Sequence, residues 1–205
     1  EAYSQALSKA VQITESNPYN LDAWIDSGSA LMGLQRFKDA SKAFSKAAEL
    51  TTHMHLREFI ENCARALSGL FHIRESLHEF QKKNYGNAIK DLRSAMNFFS
   101  KIRTEELKGF MNETLMMFLV KVTDLGSVET LDIALKEFEA REEFRELFRP
   151  FSVALEIVKT KDTRKYYDVQ IELREIVANI VRKLTSSTDL LPKEYINKRK
   201  KLTSP

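Results

Sequence analysis

The sequence holds little of what β proteins, secreted scaffolds or membrane proteins need. Six glycines and four prolines in 205 residues are few. β-sandwiches, barrels and disordered linkers all use more turn residues than that. The single cysteine, Cys63, excludes a disulfide framework and every zinc motif built on paired cysteines. It fits a reducing, intracellular compartment, and cytoplasmic placement is the expectation. The longest purely apolar run covers 115–120, whereas a membrane-spanning helix takes about 20 residues. Glu1 is not followed by a basic segment and an apolar one, so no signal peptide is expected and the chain reads as an excised portion of a longer one. Net charge is also low, at +3, and the excess is local. Residues 186–205 carry Lys193, Lys198, Arg199, Lys200 and Lys201 against Asp189 and Glu194, which leaves 27 charges of each sign elsewhere. The body is neutral and the end is basic.

Apolar side chains recur at helical spacing almost throughout. Tyr166, Val169, Leu173, Ile176, Val177, Ile180 and Leu184 step by three or four, with charges between them. Phe144, Leu147, Phe148, Phe151, Leu155 and Val158 form another such stripe, and Pro150 inside it predicts a kink or a split. No segment keeps a period of two, so the fold class is all-α. Short breaks at 17–20, 33–36, 83–86, 124–127 and 159–162 divide the chain into about nine helices: 1–16, 21–33, 37–50, 55–82, 86–101, 104–123, 127–139, 142–159 and 163–185. Helices joined by so few residues must be antiparallel neighbours. Residues 1–185 are expected to form one helical domain, and 186–205 a flexible basic tail.

A repeat emerges at 18–50. Trp24 is followed by Gly28 and Leu31; Phe37 opens the next helix; Ala40, Phe44 and Ala47 follow at spacings of four and three. Gly28 lacks a Cβ, so two helices can cross closely there. Ala40 and Ala47 are small for the same reason, and the large side chains fill the space around the crossing. This segment resembles the tetratricopeptide repeat, a helix–turn–helix unit of about 34 residues. Over 18–52 it departs only at Thr52, where the family usually has proline. Residues 1–16 look like the second helix of a preceding repeat. Residues 73–99 look like a degenerate copy: Ile73, Leu77 and Phe80 in the first helix, then Asn84, Tyr85, Ala88, Leu92 and Ala95 in the second. Its crossing position falls on Ser76 or Leu77, and its loop reads one residue shorter. Beyond 104 only hairpin-like spacing persists, best at Thr130, Ala134 and Phe138.

The resemblance implies a right-handed superhelical solenoid whose repeats bury their apolar faces on one another. It also implies a groove, lined by the first helix of each pair, that binds an extended peptide or a partner helix. The residues facing it would be Asp22, Ile25, Ser29 and Met32 in the strong repeat, and Phe71, Arg74, His78 and Gln81 in the degenerate one. The family's carboxylate clamp uses Lys and Asn where this chain has Ile25 and Ser29, so that mode is not expected.

Other constellations read more simply. His53 and His55 lack a third metal ligand, and His72 and His78 are six apart on different faces of one helix. Cys63 beside Ala64 and Leu67 reads as a core residue. Phe110, Met111, Met116, Met117 and Phe118 form a cluster read as buried, with an adaptable docking patch as the alternative. No phosphate-binding glycine loop, nucleophile elbow or zinc-protease motif occurs. The expected protein is therefore a non-enzymatic binding scaffold or adaptor with no catalytic residue, metal or cofactor, acting on a protein or peptide partner. Nucleic-acid or acidic-partner binding through the basic tail, or a structural dimerisation role, is the alternative.

Overall fold

The computed structural model describes residues 1–125 and 128–160, with Glu175 and Asn179 beyond them. Those residues form eight helices and no strand: α1 Ala2–Ser16, α2 Leu21–Gly33, α3 Phe37–Leu50, α4 Met54–Gln81, α5 Tyr85–Phe99, α6 Glu105–Asp124, α7 Val128–Glu139 and α8 Glu142–Thr160. The all-α reading holds, and these helices begin and end close to the predicted bounds. The ninth helix at 163–185 and the tail at 186–205 lie outside the described residues, apart from Glu175 and Asn179, which are helical and exposed. Whereas the sequence reading placed 1–185 in one domain, the fold divides into two compact units, Glu1–Thr114 and Leu115–Pro205.

In the first unit α1 to α4 each pack on the next helix along the chain. Local chemistry sets the boundaries. Pro18 cannot continue α1, and the Asn20 side chain accepts the Ala23 N–H at 2.9 Å to start α2. The Trp24 indole N–H donates to the Pro18 carbonyl at 2.9 Å, tying that turn to α2. At the crossing of α2 and α3, a Cβ on Gly28 would lie 2.7 Å from the Phe44 ring. Ala40 and Ala47 are fully buried beside it, as the repeat's packing logic demands. Leu31, Phe44, Ile60, Ala64 and Leu67 join three helices into one core, with Trp24, Ile25, Phe37 and Leu70 packed partly buried around it.

α4 has 28 residues and is about 42 Å long, twice the length of its neighbours. α3 lies antiparallel to its first half and middle: the Ser41 hydroxyl donates to the Ala64 carbonyl at 2.9 Å, and the Lys38 ammonium lies 5.4 Å from the Phe71 ring centre. α5 lies against its second half, where the Ser76 hydroxyl donates to the Ala88 carbonyl at 2.8 Å.

The α4–α5 turn corrects the sequence reading: its loop is not shorter than that of α2–α3. In the first hairpin Gly33 ends the helix, Gln35 has φ 57° and Phe37 begins the next helix. In the second, Gln81, Lys83 with φ 60° and Tyr85 do the same. The closing bonds correspond as well: the Arg36 N–H reaches the Leu31 carbonyl, and the Asn84 N–H the Glu79 carbonyl, both at 2.9 Å. Register therefore runs at a fixed offset of 48 residues. Ala40, Phe44 and Ala47 correspond to Ala88, Leu92 and Ala95, all buried. Gly28 corresponds to Ser76, which settles the crossing position.

In the second unit α7 and α8 form a hairpin. Phe138 and Phe148 stack with ring centres 3.9 Å apart, and Thr130, Ala134 and Phe138 are buried, as their spacing predicted. Pro150 does not split α8, which runs unbroken from Glu142 to Thr160. Proline removes one N–H donor, but Phe144, Phe148, Phe151 and Leu155 remain on one buried stripe across it, and Pro150 itself faces solvent. Met111, Met116 and Phe118 are buried as the spacing suggested, while Phe110 is exposed.

Candidate functional site

On α2, Asp22, Ser29 and Met32 are exposed, and Ile25 is half-buried at the edge of the core. Their spacing of three, four and three keeps them on one face. α1 and α3 cover the rest of α2. A Cβ on Gly33 would lie 2.6 Å from the Tyr3 ring, and Gly28 lies on Phe44. The four predicted residues therefore share the open face of α2.

The four predicted on the second hairpin do not occupy the matching row. With the 48-residue offset, the counterparts of Asp22, Ile25, Ser29 and Met32 are Leu70, Ile73, Leu77 and Phe80. Phe71, Arg74, His78 and Gln81 fall one residue further on. The physical reason is the turn, whose full length shifts the register by one. Phe71 is half-buried under Lys38, whereas Arg74, His78 and Gln81 are exposed. Ile73 and Phe80 are buried, so the matching row is open only at half-buried Leu70 and Leu77.

A further set of residues lies along α4, which shares a core with α2 and α3. Leu56, Phe59, Cys63, Leu70 and Arg74 fall on one stripe. Phe59 is 54% exposed and Leu56 39%. Leu70 and Ile25 border the same core cluster, so this stripe and the open face of α2 flank one core. Sequence reasoning missed Leu56, Phe59 and Leu70 because it began the second repeat at residue 73. The helical spacing back to residue 56 was the available signal. Cys63 is half-buried rather than in the core, and burial pushes its thiol up, away from a reactive thiolate.

The opposite side of α4 is polar. A cavity of about 490 Å³ between α3, α4 and the end of α5 is lined by Ser41, Ser45, Arg57, Glu61, Arg65 and Phe98. Most of its polar groups are already engaged. Arg57 donates to the Thr51 carbonyl at 2.6 Å, Arg65 pairs with Glu61 at 2.8 Å, and the Ser41 and Ser68 hydroxyls share a bond of 2.6 Å. Further along, His72 Nδ1 lies 2.8 Å from Asp91 and its ring stacks on Phe98, so this histidine fastens α4 to α5. His53, His55 and His78 are exposed, and no cluster of three metal-ligating side chains occurs among the described residues. No described helix is long and apolar enough to cross a membrane.

Comparison of the chain with protein-family models, with curated proteins and with solved structures gives no match in any of the three.

Proposed function

We propose that the chain is a tetratricopeptide-like scaffold or adaptor that holds a protein partner on the shared face of α2 and α4. The observation that carries this is the hairpin built twice. α2–α3 and α4–α5 use three-residue turns with a left-handed residue at the same position and buried side chains at corresponding positions, 48 residues apart. Units of this kind cannot bury their apolar faces alone and gain stability by stacking. Stacked in a right-handed superhelical solenoid, they would set their first helices side by side along the inner surface. That arrangement leaves Ile25, Met32, Leu56 and Phe59 on a preformed surface, so little conformational entropy is lost when a partner binds. The lone half-buried Cys63 suits work in a reducing compartment such as the cytoplasm. No catalytic group, metal or cofactor has a part in this mechanism.

The test is capture from nuclease-treated lysate at about 50 and 300 mM salt, where binding to nucleic-acid phosphates would fall by orders of magnitude. The baits are the chain, the chain without 186–205, and a Met32→Lys/Phe59→Ser variant. The proposal expects a protein retained at both salts and without the tail, and lost with the double variant. Material that depends on the tail and on low salt would assign binding to charge instead.

A further inference from the structure

Between its two ends the α2/α4 face offers a partner carbon and little else. Met32, Leu56 and Phe59 are exposed there, and Ile25, Cys63 and Leu70 are half-buried. Its one hydroxyl, Ser29 Oγ, is engaged within its own helix, donating to the Ile25 carbonyl at 2.9 Å. The main chains of α2 and α4 are committed to their own helices. An extended peptide laid on this surface would bring an N–H and a C=O per residue and find almost no partner for them. Burying such groups unpaired is costly, whereas a helix arrives with its backbone bonds already made.

The ends carry opposite charge. α3 runs antiparallel to both neighbours, with Phe44 on Gly28 of α2 and Ser41 bonded to Ala64 of α4, so α2 and α4 run in the same direction. On that alignment Asp22 and Asp26 fall toward the Phe59 end of the face and Arg74 toward the Met32 end. All three charges are exposed and have no ion-pair partner among the described residues. From Phe59 to Arg74 the stripe is about 22 Å long, or four helical turns.

We infer that this face takes an amphipathic helix of about four turns from a partner protein, lying antiparallel to α2, with acidic residues in its first turn at Arg74 and basic residues in its last turn at Asp22 and Asp26. The inference rests on the proposed function, which places the partner on this face. The same charge order stabilises the incoming helix, because acids favour a helix N-terminus and bases its C-terminus. Apolar side chains at spacings of three and four would meet Met32, Phe59 and Leu56.

The probe is a phage-displayed library of amphipathic peptides of about 16 residues, with both charge orders present, and a matched library carrying a central proline. Both are selected on the whole chain. Proline-free peptides with acids first and bases last should be enriched about tenfold or more over the rest, a difference of about 1.4 kcal/mol. Selection on the D22K/D26K/R74E variant, checked for unchanged helicity, should enrich the reverse order. Proline-containing winners, the same order on both baits, or no enrichment would overturn the inference. Met32→Lys/Phe59→Ser separates the two levels. Loss of all enrichment in that variant, with no charge order in the wild type, sinks the helix inference alone. Enrichment that survives it sinks the choice of face as well.

Discussion

The two hairpins of the first unit share a turn and differ in how they are filled. In α2–α3 the crossing residue is Gly28, and the Phe44 ring lies where a Cβ would be. In α4–α5 it is Ser76, whose hydroxyl spans the gap to Ala88. The turns are held by different chemistry too. Leu31 is buried in the first hairpin, and Arg36 pairs with Asp39 at 2.8 Å. Their counterparts in the second are Glu79 and Asn84, which bond to each other at 2.7 Å. Backbone geometry and the row of small residues are thus the repeated part, and side-chain filling is free to vary. The open row varies most. It is Ile25, Ser29 and Met32 in one hairpin and Ile73, Leu77 and Phe80 in the other, which moves the partner face toward α2 and the first half of α4.

The largest effect should come from the tightest approach between helices. Gly69 of α4 faces the buried Phe99 ring so closely that an added Cβ would fall inside it. Gly69→Ala should cost about 1–3 kcal/mol, more than the gain in helix propensity returns. Gly28→Ala meets a less severe clash and should cost less, while Gly28→Leu should lose more than about 1 kcal/mol. Denaturant midpoints measure all three, and equal midpoints for the two alanine variants would contradict the ranking.

A second comparison uses the turns. Gln35 and Lys83 have φ values of 57° and 60°, which glycine adopts freely. Gln35→Gly and Lys83→Gly should each stabilise the fold, by about 1 kcal/mol and by similar amounts. Opposite signs in a thermal melt would break the equivalence of the turns. Ser76→Ala removes one hydrogen bond from the second crossing and should cost about 1 kcal/mol. An unchanged melt would show that the hydroxyl is not what fills that crossing.

The smallest effect is an acid-side pH dependence at the second hairpin. The Lys82 ammonium, with Asn84 and Asn87, holds the Glu79 carboxyl below the usual carboxylate range. A carboxylate depressed in the folded state adds stability at higher pH. That stability is lost as pH falls below about 4.3 and on through the folded value. Glu79→Gln should remove this part of the acid-side loss. An acid-side titration of stability identical to the wild type would exclude Glu79 as a source.

Much of the fold was legible because the breaks carry strong local chemistry. Pro18 and Asn20 mark the first turn, and the Trp24, Gly28 and Phe44 spacing fixes the first crossing. The second hairpin was harder to place. α4 runs 28 residues with no break to anchor a register, and neither positive-φ turn residue is a glycine. A one-residue shift followed, and it put Phe71 on the open row while Lys38 covers it. Nothing in the sequence reading singled out Gly69, whose role comes from the approach of the Phe99 ring. Pro150 was read as a kink or a split because sequence weighs the lost donor more readily than a buried stripe that continues past it.

The claim that matters most is that partners dock on the shared face of α2 and α4. Photo-crosslinking tests it directly, with benzoylphenylalanine placed at Met32 on that face and, separately, at exposed Ser45 on the opposite side. The account predicts a crosslinked protein partner from position 32 and none from position 45. A partner crosslinked from position 45 and not from position 32 would contradict it.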